Sequence, residues 1–174
     1  MIRTVTTRRH ALWGAVSAAA VLGAGLAAPA RALDAFALHA RGDDAAAAVR
    51  LARLAEAGNA RAQGLLGFLY EYGRGVPQNF EIAAMLYTCA AEQGEATAQH
   101  LLGLLYDKGR GVPRDVVLSH KWLILAAARA GRRDRDAYIR IRDAVATKMS
   151  ESQRALAQAM ATAWVPAPPT PMRW

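Results

Sequence analysis

The residues able to do chemistry are few and scattered. Beyond the N-terminal segment the chain holds three histidines, His39, His100 and His120, and one cysteine, Cys89. A metal site needs ligands that converge, usually announced by close His/Cys spacing. These histidines fall on different helical segments with no H-x-x-x-H and no His/Cys pairing. There is no G-x-S-x-G nucleophile turn. The Gly-rich G-R-G-V-P segments lack both a following Lys-Ser/Thr and a preceding strand, so they read as hairpin loops rather than phosphate cradles. Glu71, Glu92, Glu95 and Asp107 fit ordinary helix faces and ends, and His100 and His120 are expected on exposed faces. Cys89 reads as a small buried hydrophobe. The reading is therefore of a chain that is not an enzyme, with no metal and no cofactor.

What positions these residues is a stretch that occurs twice. Residues 60–77 read ARAQGLLGFLYEYGRGVP, and residues 96–113 read ATAQHLLGLLYDKGRGVP. Aligning 59–94 with 95–130 gives fifteen identities in 36 positions, among them the run G-R-G-V-P in register with an upstream Gly and Tyr. A period of this size signals stacked repeats. Ala62, Leu66, Leu69 and Tyr70, and likewise Ala98, Leu102, Leu105 and Tyr106, fall at i, i+4, i+7 and i+8, one face of a helix. Gly67 and Gly103 in mid-helix cost about 1 kcal/mol relative to Ala, which predicts close approach of a neighbouring helix. Gly73 and Gly109 can close that helix, Pro77 and Pro113 stiffen the loop exit, and Asn79 and Asp115 can cap a second helix. The second helix carries Ala83, Leu86, Ala90 and Ala91, or Ser119, Trp122, Ala126 and Ala127. Such a hairpin cannot bury its apolar faces alone and must stack on its neighbours.

The pattern A-Q-x-L-L-G-x-L-Y, G-R-G-V-P, a cap residue and A-A resembles the Sel-one-like repeat family of tetratricopeptide-like hairpins. It departs from the family at Leu65 and Leu101, where the family often has Asn, and at Leu86, where it often has Trp. The resemblance implies an all-α solenoid of helical hairpins, about eight helices beyond the leader, used for protein binding. The expected division is 34–58 as a degenerate opening hairpin, 59–94 and 95–131 as full repeats, and 132–164 as a capping hairpin, together making a solenoid over 33–164. Ser150 and Gln153 form a capping box for the last helix.

Residues 1–32 read as an export signal: Arg3, Arg8 and Arg9 without an acid, a mildly apolar stretch, and Ala30-Arg31-Ala32 for cleavage after Ala32. T-R-R-H-A-L over 7–12 resembles the twin-arginine motif. The expected address is the periplasm or beyond, with the membrane touched only through the signal. Of the 22 basic residues, the signal takes Arg3, Arg8, Arg9 and Arg31, which leaves 18 against 14 acids, a net +4. That excess is too small to imply nucleic acid. Arg129, Arg132, Arg133, Arg135, Arg140 and Arg142, offset by Asp134, Asp136 and Asp143, read as a solvated cap face; a sharper reading is an anchor for an acidic partner or anionic membrane. Residues 165–174, with Pro166, Pro168, Pro169 and Pro171, are expected to be extended and mobile.

In a stacked-hairpin solenoid the first helices make the concave side. Phe68, Glu71, Tyr72, His100, Leu104, Asp107 and Lys108, off the packed stripe of those helices, are the expected contacts for a partner protein. The functional expectation is an exported, non-enzymatic adaptor in the bacterial envelope; the alternative is a cell-wall or envelope-substrate hydrolase.

Overall fold

The computed structural model describes residues 34–171. The expected signal segment, its cleavage site and the twin-arginine motif lie outside the described residues. Eight α-helices and no strand occur among them: α1 (34–40), α2 (Asp44–Glu56), α3 (Ala60–Tyr72), α4 (Phe80–Glu92), α5 (Ala96–Lys108), α6 (Val116–Arg129), α7 (Arg132–Ala146) and α8 (Glu151–Thr162). α1–α2, α3–α4 and α5–α6 pair as hairpins, whereas the expected capping hairpin is looser: α7 and α8 each pack on α6 rather than chiefly on each other, because α6 offers both the apolar face they need. None of the described helices is long and apolar enough to cross a membrane.

The 36-residue period is written in the helix caps. Asp43, Asn79 and Asp115 cap the second helices through their side chains, and Asn59 and Glu95 cap the first helices of the two full repeats. Each satisfies amide donors that the helix start leaves unpaired. Gly73 and Gly109 close α3 and α5 in the left-handed conformation, at φ 64° and 67°.

Gly75 and Gly111 do more than turn. Both have positive φ, and a Cβ at either would collide with backbone: at Gly75 with Asp44 and Ala45, at Gly111 with Phe80 and Glu81. The G-R-G-V-P loop of each repeat is thus pressed onto the start of the preceding hairpin's second helix. Arg74 completes the dock by donating from Nε to Asp44 Oδ2 at 2.7 Å, while His39 Nδ1 lies 2.6 Å from the other carboxylate oxygen. Burial alone would raise the Asp44 carboxyl, but these two partners outweigh it and hold the carboxyl below its ordinary value.

The mid-helix glycines are explained by what they admit. Gly67 faces the ring of Tyr87, and Gly103 faces Leu123; a Cβ would stand 2.8 Å from each. Ala83, Leu86, Tyr87, Ala90 and Ala91 on α4 are fully buried, as are Leu102 on α5 and Leu123 and Ala126 on α6. A core built largely of alanines and glycines lets helices approach closely, and apolar burial of about 25 cal/mol per Å² supplies the drive.

On α7 the residues turned inward are Tyr138, Ile141 and Val145, continued by Met149 in the following turn, while Ala144 is exposed. Lys148 ties the α7–α8 turn to the stack with bonds of 2.7 and 2.9 Å to the Asp107 carboxylate. The Ser150–Gln153 capping box is formed. Residues 165–171 are extended, as their prolines require, but they are docked rather than free. Ala167 N–H donates to Glu92 O at 2.7 Å, and Gln63 Nε2 donates to Thr170 O at 3.0 Å.

Candidate functional site

The first helices carry a second stripe, rotated away from the buried one. On α3 it runs Arg61, Leu65, Phe68 and Tyr72, and on α5 Thr97, Leu101, Leu104 and Lys108, the same four positions one period apart. Each set steps i, i+4, i+7, i+11, and in both the outer two are exposed and the inner two half-buried. Where α1 flanks this surface a groove opens, with a volume of about 430 Å³. Its floor is Phe36, Leu65, Phe68 and Leu101, and its rim carries His39, Arg61, Glu95 and Thr97.

The aromatic groups are held in place. Arg61 lays its guanidinium 4.3 Å from the centre of the Phe36 ring. Phe68 packs on Tyr72 at 4.6 Å between centroids, and His39 meets Phe68 edge-on at 6.1 Å. Because His39 and Arg74 both bind Asp44, the loop dock between hairpins also fixes one wall of the groove. Apolar floor, aromatic anchors and a rim of both charges suit the side chains of a polypeptide.

Of the seven residues expected as partner contacts, four lie on this outward stripe: Phe68 and Tyr72 on α3, Leu104 and Lys108 on α5. Phe68 lines the groove itself, and Tyr72 is 55% exposed. The other three are inside the fold. Glu71 is buried and accepts a 2.8 Å hydrogen bond from Tyr87 Oη; burial pushes its carboxyl up. Asp107 is buried under Lys148, whose bonds outweigh burial and hold the carboxyl down. His100 is not an exposed face residue: it is buried and stacks on Tyr138 of α7 at 4.0 Å with the rings nearly parallel. Burial holds its imidazole below the ordinary range. The reason is geometric. A first helix touches both its own partner helix and the adjoining hairpins, so only one narrow strip stays open. Glu71 and His100 stand three residues past Phe68 and Thr97, about 60° around the helix, which turns them into the stack.

His120, expected in solvent, is also buried, and burial together with Arg142 lowers its imidazole. Cys89 is half-buried in the apolar cluster of the first two hairpins, which pushes its thiol up, away from the reactive thiolate. No group of His, Cys, Asp and Glu able to hold a metal occurs among the described residues. Arg61, Leu65, Thr97 and Leu101 were missed as contacts. Their signal is present in the sequence as the second i, i+4, i+7, i+11 set, but Leu65 and Leu101 stand out there only as departures from the family's Asn and not as an apolar floor.

The family model described as Sel1 repeat matches residues 60–95 and 96–130. Among solved structures, the chain is similar to a Sel1 repeat protein from Oxalobacter formigenes, at 41% identity and a TM-score of 0.53, over 55% of this chain and 40% of that one. It is also similar to c5321, a protective antigen of uropathogenic Escherichia coli strains displaying an SLR fold. There the identity is 27% and the TM-score 0.71, over 79% of this chain and 29% of that one. The chain therefore spans well under half the length of either protein. No curated protein matches it.

Proposed function

With residues 60–130 established as two Sel1 repeats, a fold that commonly mediates protein–protein interaction, we propose that this chain is a non-enzymatic adaptor that holds an extended segment of another protein in the groove between α1, α3 and α5. The observation that carries the reading is the pair of outward stripes, which set apolar side chains at Leu65, Phe68 and Leu101 beside the exposed Arg61, with the half-buried, helix-capping Glu95 at the rim. An apolar side chain of the partner fills the floor, and its flanking charges meet the rim. The basic N-terminal segment with its small-residue cleavage site supports an exported protein of the bacterial envelope.

The test is affinity capture from envelope extract with three forms of the chain. Arg61→Glu with Phe68→Ala alters the groove. Met85→Glu alters α4, where Met85 is exposed away from it. A partner kept by the parent and by Met85→Glu but lost from the groove variant supports the reading. A partner retained by all three forms rules the groove out.

A further inference from the structure

The tail docks with a regularity that the rest of the molecule explains. Pro166, Pro168, Pro169 and Pro171 restrict the backbone to an extended helix with three residues per turn. Trp164, Ala167 and Thr170, spaced by three, are the residues that engage the body of the protein. Trp164 Nε1 donates to Glu92 Oε2 at 2.9 Å, Ala167 N–H to Glu92 O, and Thr170 O accepts from Gln63 Nε2. Val165, Pro166, Pro168 and Pro169 are exposed, and so is the Thr170 side chain, which leaves Thr170 held through its backbone carbonyl. Six residues at about 3.1 Å each give about 19 Å, and over that length the tail passes from the α4–α5 turn to the α2–α3 turn. At the α2–α3 turn the tail runs close: a Cβ on Gly58 would crowd the Thr170 backbone at 3.3 Å, while at the α4–α5 turn one on Gly94 would meet the Trp164 ring at an ordinary 3.5 Å.

The anchor also diverts a polar group. In the first repeat Gln63 is satisfied on both sides, its Oε1 accepting from Gln93 Nε2 at 2.7 Å. In the second repeat Gln99 stands in its place and Arg129 in that of Gln93. Arg129 instead lies 4.4 Å over the Trp164 ring, and Gln99 Oε1 is buried without a partner.

We propose that the edge formed by the inter-hairpin turns is a docking track for an extended, proline-containing segment opening with an aromatic residue, and that the chain's own tail is its resident self-ligand. The partner is a second polypeptide with an aromatic, a small residue that keeps its N–H, and a further acceptor, spaced by three. A restricted extended chain loses little conformational freedom on docking, which makes one backbone donor and one acceptor sufficient to set its register. This track is distinct from the groove on the first helices and does not depend on it.

The probe is a fluorescein-labelled peptide of sequence TAWVPAPPTP, read by anisotropy against the full chain and against a chain ending at Ala163. The shortened chain binds the peptide at least tenfold more tightly than the full chain, whose track is filled, and replacing the peptide's second alanine by proline weakens binding at least tenfold. Equal binding to both chains, or none to a shortened chain that keeps its cooperative melt, overturns the proposal. Should the shortened chain lose that melt, the full chain with Trp164→Ala carries the same comparison: peptide binding above that of the parent supports the track, and binding equal to the parent's overturns it.

Discussion

Replacing Gly64 and Gly67 by alanine separates two effects that share one helix. Each substitution gains helix propensity, worth up to about 1 kcal/mol in a helix interior. At Gly64 the new methyl would meet Glu95 Oε2 at 3.4 Å and Ala98 Cβ at 3.7 Å, both ordinary contacts. Gly64→Ala is therefore stabilising, by about 0.5–1 kcal/mol. At Gly67 the methyl would lie 2.8 Å from two carbons of the Tyr87 ring and 3.3 Å from Ala83 O. That ring cannot yield easily, being fully buried with its hydroxyl bound to Glu71. Overpacking of this kind costs about 1–3 kcal/mol, and a rigid, tethered neighbour puts Gly67→Ala toward the upper end. The net is a loss of about 1–2 kcal/mol once the propensity gain is subtracted. Urea denaturation followed by circular dichroism reads both differences, and at about 4 °C per kcal/mol for a domain of this size so does a thermal melt. Opposite signs are expected. If Gly67→Ala is as stable as Gly64→Ala, α3 and α4 do not approach as described, and the close-packed hairpin is wrong.

Three further outcomes follow from the same contacts. Gly111→Ala, at positive φ and against the Phe80 backbone, is expected to cost more than 3 kcal/mol, measured by denaturation; a neutral result would mean the loop does not dock on α4. Lys148→Met strips the buried Asp107 carboxylate of its main partner and should lower stability by about 1–3 kcal/mol, with Asp107→Asn in the same chain recovering part of the loss; no recovery would deny the coupling. His100 and His120 have folded-state values lowered by burial, so the unfolded chain binds more protons as pH falls. Their contribution is complete above about 6.5, the ordinary imidazole value, and is lost progressively below it. Melting temperature should fall between pH 7.5 and 5.5, and His100→Phe, which keeps the stack on Tyr138, should flatten that slope. Glu71, raised by burial, acts with the opposite sign above its ordinary 4.5 and moderates the fall at the acid end of the window.

The repeat unit was legible because its punctuation is chemical. Asn79 and Asp115 can cap, Gly73 and Gly109 can turn left-handed, and Gly67 and Gly103 make no sense in a helix unless something presses on them. The site was half legible. Phe68, Tyr72, Leu104 and Lys108 follow from helical period, but telling the open strip from the strip facing the adjoining hairpins requires knowing how hairpins lean on one another. Glu71, Asp107 and His100 were lost there, because their partners Tyr87, Lys148 and Tyr138 lie 16, 41 and 38 residues away in sequence. The tail was misjudged for a related reason: proline content reports that a segment is extended, while its docking depends on Gln63 and Glu92, far off in the chain.

The most direct test of the binding groove places a photo-crosslinking residue singly at 61, 68, 72, 104 and 108, and at 49 and 85 on the second helices, where Val49 and Met85 are exposed. Illumination in living cells should give the same partner adduct from 68 and from its neighbours on the outward stripes, and none from 49 or 85. Adducts confined to 49 and 85, or spread evenly over all seven positions, would contradict a partner held in the groove of the first helices.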